Sequence, residues 1–163
     1  MLKMRTILCP TDLSDSSFAA FRLACALARD YGAKIIVLYV YPTPADGADM
    51  VDRARDTHFE EDLVDTIRAK TPEHLGVVVD FRVAEGSPAE VILSVARECD
   101  LVVIGTHGRR GLRRVLMGSV AEQALREAPC PVMTVRPEMH IPAESLPATT
   151  TAATENVELG VGD

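Results

Sequence analysis

Between Arg5 and Val135, short apolar runs rich in β-branched residues alternate with stretches of helical periodicity, and this alternation constrains the fold more than any other feature. The runs are Arg5 to Cys9, Lys34 to Tyr41, Val77 to Val83, Leu101 to Ile104 and Val132 to Val135. All are of strand length. Lys34 to Tyr41 is almost uninterruptedly apolar, as expected of a strand covered on both faces. After Pro10-Thr11-Asp12, the segment Ser14 to Ser17 offers helix caps and a first-turn acid. Phe18, Phe21, Leu23, Ala24, Cys25, Leu27 and Ala28 then recur at helical spacing until Tyr31-Gly32, where glycine suits a C-terminal cap.

Pro42 to Asp49 reads as a loop, and Val51, Phe59, Leu63, Val64 and Ile67 predict a charged amphipathic helix ending near Thr71-Pro72. Ser87-Pro88-Ala89-Glu90 predicts a capping box with proline first inside a helix through Val91, Ile92, Val95 and Ala96. Ser119 and Glu122 predict a second box ahead of Val120, Ala121, Ala124 and Leu125, and Pro129-Cys130-Pro131 ends that helix. The order β-α-β-α-β-α-β-α-β predicts an α/β fold: a five-stranded, parallel, doubly wound, Rossmann-like sheet in a three-layer α/β/α sandwich.

A chain of 163 residues suits one domain, here 1–136, followed by a tail at 137–163. The tail is rich in Pro, Ala, Thr and acids without periodicity, so it is expected to be disordered. Its acids Glu138, Glu144, Glu155, Glu158 and Asp163 account for most of the net charge of −7, leaving the folded part nearly neutral. That balance and the lack of an aromatic platform (4% aromatics, no Trp) point away from nucleic acid. No apolar run approaches a membrane span, and the first residues lack a secretory signal pattern, so a cytoplasmic protein is expected. Cys9, Cys25, Cys99 and Cys130 show no C-x-x-C pair and no zinc-type spacing, which predicts buried free thiols and no metal site.

The chemistry gathers where the fourth run meets Gly105. No G-x-x-x-x-G-K-[ST] sequence occurs, and no G-x-G-x-x-G follows the first strand, so the two commonest phosphate loops are excluded. Gly105 and Gly108 stand instead three apart, then nine residues lead to Gly118-Ser119. Glycines allow close backbone approach, consecutive amides form an anion nest, and the start of the last helix adds its dipole and unpaired N–H groups. Arg109, Arg110, Arg113 and Arg114 lie between the two glycine signals, where a cationic cluster favours an anion, although a charged run also serves as a solvated face.

These residues resemble the universal stress protein family, whose nucleotide-binding members carry G-x-x-G, nine residues, then G-[ST]. Gly105, Gly108, Gly118 and Ser119 fit without a gap, and the likeness extends to Pro10-Thr11-Asp12, Val40, Gly86-Ser87-Pro88 and Ala128-Pro129-Cys130-Pro131-Val132. It runs from about Arg5 to Arg136. The resemblance implies strand order 3-2-1-4-5, ATP as ligand with Mg²⁺ on its phosphates, and a homodimer formed through the last strand. It also implies that Asp12 and Val40 meet ribose and adenine while Gly105, Gly108, Gly118 and Ser119 meet the phosphates. With their neighbours Pro10, Thr11, Thr106, His107, Arg109 and Val120, they make up the expected nucleotide site.

Asp12 falls just past the first strand, at the sheet edge that holds the glycine cradle, although a turn or capping acid is its plainer role. His107 lies inside the cradle but has no paired carboxylate or nucleophile beside it in the sequence, so no catalytic residue is assigned. The expected function is nucleotide-dependent regulation in a stress response. A slow ATP hydrolase or phosphotransferase, and an interaction module independent of nucleotide, are the alternatives.

Overall fold

The computed structural model of the protein describes residues 3–42, 58–73, 76–106 and 117–139. Its elements in chain order are β1 (Thr6–Thr11), α1 (Asp15–Tyr31), β2 (Lys34–Tyr41), α2 (Phe59–Lys70), β3 (Val79–Glu85), α3 (Pro88–Ala96), β4 (Leu101–Gly105), α4 (Ser119–Glu127) and β5 (Val132–Val135). The strands form one parallel sheet in the order β3-β2-β1-β4-β5. The chain therefore winds outward from β1 to β3, then crosses back to β4 on the other side of β1. Ligands of such sheets sit beyond the carboxyl ends of the strands where that reversal occurs, between β1 and β4.

Alternation along the strands builds two separate cores. Ile7, Cys9, Ile35, Val37, Leu101 and Val103 pack under α1 and Ile67 of α2, whereas Leu8, Ile36, Leu38, Val102 and Ile104 pack under Ile92, Ala96, Ala121 and Ala124 of α3 and α4. β1 is buried from Thr6 to Pro10, so the central strand reads as an unbroken apolar run. β3 is only half-buried along its length, as an edge strand should be, and its Arg82 bonds Asp80 at 2.9 Å and Glu98 at 2.6 Å.

Local chemistry sets the ends of the elements. Ser14 caps α1 by accepting from the Ser17 amide, and Gly32 closes that helix at φ 64°, a left-handed conformation cheap for glycine. Thr71 closes α2 by donating both its amide and its hydroxyl to the Ile67 carbonyl. The start of α2 is tied to β2 by the Tyr41 hydroxyl, which donates to Glu60 at 2.7 Å, and by the edge of Phe59 against the Tyr41 ring.

Some boundaries differ from the sequence reading. β1 continues through Pro10 to Thr11 because Cys9, Pro10 and Thr11 remain paired with Val37, Leu38 and Tyr39 of β2. β3 begins at Val79 and ends at Glu85, later than periodicity placed it: the ladder to β2 starts at Ile35↔Val79, and Val78 is 72% exposed. Ser87 holds the N-cap position of α3 but makes no side-chain cap bond, so that capping box is not formed. Val51, the proposed early turn of α2, and residues 140–163 of the tail lie outside the described residues; Met139 closes a turn onto the Arg136 carbonyl.

All four cysteines are free. Burial pushes the Cys25 and Cys99 thiols up to about 11 and raises Cys9 and Cys130 as well, which keeps them protonated at neutral pH.

At the amino edge of the sheet, Asp100 accepts hydrogen bonds from the Arg5 and Thr6 amides at 2.8 and 2.9 Å, and these bonds hold its carboxyl below its ordinary value. A carboxylate whose folded pKa is depressed contributes stability that is complete above its unfolded pKa of about 3.9 and fades as pH falls through the lower folded value. Asp100→Asn is therefore expected to melt below the unaltered protein at pH 7, with the gap closing as pH drops below about 4. A gap independent of pH, read from thermal melts across that range, would contradict the clip.

Candidate functional site

β1 and β4 lie side by side, yet their Cα pairing covers only Ile7↔Leu101 and Leu8↔Val102. Beyond it, Cys9 to Thr11 and Val103 to Gly105 run on without pairing to each other. The cause can be read from the backbone. Arg5 offers its carbonyl to Lys34, at the start of β2, while Thr6 offers its own to Asp100, just ahead of β4. Because N–H and C=O of one residue point the same way and alternate along a strand, the even-numbered residues of β1 face β4. Pro10 is the next even residue after Leu8 and has no N–H to give, so the ladder stops there.

The first turn of α1 packs across these strand ends. The Ser17 hydroxyl lies 3.1 Å from the Thr11 hydroxyl at the end of β1, and the Ser16 hydroxyl donates to the Val135 carbonyl at the end of β5 at 3.3 Å. Gly105 admits this turn. A Cβ on residue 105 would stand 2.5 Å from the Ser16 hydroxyl and 2.7 and 2.8 Å from the Ser16 backbone, closer than any side chain tolerates. Gly105 thus has a steric role in joining α1 to the sheet.

Between Thr11 and α1 the chain turns sharply. Leu13 takes φ 63°, the Thr11 hydroxyl accepts from the Leu13 amide, and Asp12 Oδ1 accepts from the Ser14 amide at 3.1 Å. A leucine in the left-handed region is strained, and such positions recur at functional turns. Asp12 therefore serves as a turn acid, and its half-buried carboxylate is held at the carboxyl edge.

The second half of the site comes from α4. The Gly118 amide donates to the Thr106 carbonyl at 2.6 Å, while the Thr106 amide donates to Val135 at 2.9 Å. This pair clamps the start of α4 to the ends of β4 and β5, and Thr106 is buried between them. The same bond shifts the helix start: Gly118, extended at φ −72° and ψ 151°, is the N-cap, and Ser119 is the first helical residue with no side-chain cap bond. The capping-box pattern makes Ser119 the cap, whereas in the structure it stands exposed one position further on. Helix geometry leaves the amides of Ser119, Val120 and Ala121 without intrahelical acceptors, so the positive end of α4 is offered here.

Val40, one residue before the end of β2, pairs with Ala84. It packs against the α3/α4 face together with Ala84, Val91, Met117 and Val120, all partly buried. Val40 and Val120, far apart in sequence, thus belong to one apolar surface. Ala84, Val91 and Met117 were not singled out from the sequence; only Met117, next to Gly118, gave any local hint. His107, Gly108 and Arg109, with Arg110, Arg113 and Arg114, lie outside the described residues. Among the described residues no group of three or more His, Cys, Asp or Glu side chains is arranged to hold a metal ion.

One parallel sheet in the order β3-β2-β1-β4-β5, helices on both faces and the start of α4 clamped at the switch point define a doubly wound α/β protein. The universal stress protein family, as a sequence profile, matches residues 3–136, and the chain belongs to that family. A universal stress protein of Methanocaldococcus jannaschii is 34% identical over 141 residues, covering 81% of this chain and 82% of its own. Universal stress protein UspA from Lactobacillus plantarum superposes with a TM-score of 0.66 at 26% identity, over 83% of this chain and 100% of that one. A universal stress protein solved in complex with cAMP superposes with a TM-score of 0.62 at 23% identity, over 82% of this chain and 98% of that one. No helix among the described residues is long and apolar enough to cross a membrane.

The steric role of Gly105 is directly testable. Gly105→Ala must displace the Ser16 backbone, which overpacking series place at about 1–3 kcal/mol. Urea denaturation should show that loss. A variant as stable as the unaltered protein would mean that α1 does not press on residue 105 as described.

Proposed function

We propose that the protein binds an adenine nucleotide, ATP with Mg²⁺, at the carboxyl ends of β1 and β4 and acts as a nucleotide-dependent regulatory protein in a stress response. The observation that carries this reading is the Thr106–Gly118 bond, which ties the first turn of α4 to the carboxyl end of β4, next to β1 in the sheet. Phosphates suit that place because a helix start supplies both N–H donors and positive potential. In this reading the phosphates lie along Gly105, Gly108, Gly118 and Ser119 with Val120, and His107 and Arg109 add cationic or donor groups. The base rests against Val40, and the ribose meets Asp12, next to Pro10 and Thr11. Membership of a family with a cAMP-bound relative of the same fold supports an adenine ligand. Mg²⁺ enters on the nucleotide phosphates.

The rest of the reading follows the same line. Domain 1–136 carries the binding function, and the tail at 137–163 stays outside it. A homodimer forms along β5, an edge strand on which Met133 is 39% exposed, and the protein works in the cytoplasm. Occupancy by nucleotide, rather than rapid turnover, is the signal.

Two variants test the site without threatening the fold. Ser119 is exposed in the first turn of α4, where a carboxylate suits the helix dipole, and Gly118 has a φ that any residue adopts at a position where aspartate is a favoured cap. Ser119→Glu and Gly118→Asp should therefore melt like the unaltered protein yet weaken ATP binding at least about tenfold, through repulsion of the phosphates. Calorimetric titration with ATP reads the effect, and unchanged affinity in both variants would remove the phosphates from α4.

A further inference from the structure

Ser17 lies in the first turn of α1, is only 4% exposed and falls outside the expected nucleotide site. Its hydroxyl donates to the Ser14 carbonyl at 2.8 Å. A serine hydroxyl has one hydrogen, so in its 3.1 Å contact with Thr11 it is the acceptor and the Thr11 hydroxyl the donor. Thr11 in turn accepts from the Leu13 amide, 3.1 Å away. One chain of hydrogen bonds therefore runs from the Leu13 amide through Thr11 and Ser17 to the Ser14 carbonyl, closing around the turn that carries Asp12. Ser16, next in sequence, seats the same helix turn against Gly105 and Val135, so the chain starts from a fixed point.

That turn needs a restraint. Leu13 takes φ 63°, a conformation that L side chains disfavour, and Asp12 Oδ1 accepts from the Ser14 amide at 3.1 Å. Relaxing Leu13 to a negative φ re-aims the peptide before it against the one after, and so breaks the bond between the Ser14 amide and Asp12. The Thr11 hydroxyl gives its one hydrogen to Ser17, whereas the Asp12 carboxylate, acceptor-only with two oxygens, has capacity for a ligand hydroxyl beyond its bond to Ser14. We infer that Ser17 is a positioning residue: through the Thr11 hydroxyl it holds the Leu13 turn and so aims the Asp12 carboxylate that tells ribose from deoxyribose, without itself touching the ligand. The ribose contact rests on the nucleotide reading above; the hold on the turn rests on the hydrogen bonds alone.

The test uses the full chain with Ser17→Ala, and Asp12→Ala as the reference for a lost carboxylate. Calorimetry compares ATP with its 2′-deoxy and 3′-deoxy analogues. The unaltered protein should favour ATP over at least one analogue by about tenfold, as a hydrogen bond from a hydroxyl to a carboxylate would give. Ser17→Ala and Asp12→Ala should both lose that preference while binding the analogue as the unaltered protein does; a general loosening of the fold would weaken both ligands. By NMR, the strong amide-to-Hα NOE within Leu13 that marks its positive φ should disappear in Ser17→Ala. Thr11→Val, which breaks the chain at its other hydroxyl, should act alike, and combining it with Ser17→Ala should cost nothing further. A Ser17→Ala variant that keeps the preference for ATP would overturn the inference, whatever its Leu13 signal, as would equal weakening of ATP and analogue or unfolding of both hydroxyl variants. An unaltered protein without ribose preference would instead strike the nucleotide reading, while the Leu13 signal would still decide the hold on the turn.

Discussion

The contact of the Ser16 backbone with Gly105 is the constraint on which the carboxyl edge depends. With no Cβ at residue 105, the first turn of α1 comes down onto the sheet and reaches β1 through Ser17 and β5 through Ser16. With one, α1 has to lift, and the Asp12-Leu13-Ser14 turn that feeds it has to change too. Short-range steric fit of this kind is unforgiving: a few tenths of an ångström against backbone cannot be absorbed by a rotamer change. The Thr106–Gly118 clamp begins one residue beyond that contact.

A doubly wound sheet by itself says little about function, because unrelated activities share it. What narrows the possibilities is how its switch point is finished. Three devices meet there: a proline that ends a ladder, a glycine that admits a helix, and an amide–carbonyl bond that brings a second helix start to the same edge. Each has a backbone cause. Among the described residues, the carboxyl edge is therefore finished by backbone chemistry: a missing N–H, a missing Cβ and an amide–carbonyl bond.

The architecture was legible in the sequence because it is carried by period. The apolar runs around Ile7, Ile36 and Val102 mark strands covered on both faces, and the spacing of Phe21, Ala24 and Ala28 marks a helix that covers one of them, which together mean a parallel α/β sheet. The strand order 3-2-1-4-5 came from family resemblance, and the sheet has that order. Boundaries were less legible where a tertiary bond overrides local signals. Ser119 looks like a cap until Thr106 takes the Gly118 amide, and Pro10 looks like a strand end until its pairing with Leu38 is seen. Met117, Ala84 and Val91 carried no periodic signal that set them apart from ordinary core residues; only the fold brings them to Val40. Gly105 suits close backbone approach by its sequence, and among the described residues it is approached by Ser16.

The most direct measurement of the central claim is a residue-by-residue NMR titration of the isotopically labelled protein with ATP and Mg²⁺. Amide shifts should concentrate at Asp12 and Leu13, at Thr106, and at Ser119 to Ala121, and spare Asp80 and Arg82 on the β3 edge. Shifts centred on β3 and α2, or no shifts at millimolar nucleotide, would contradict it.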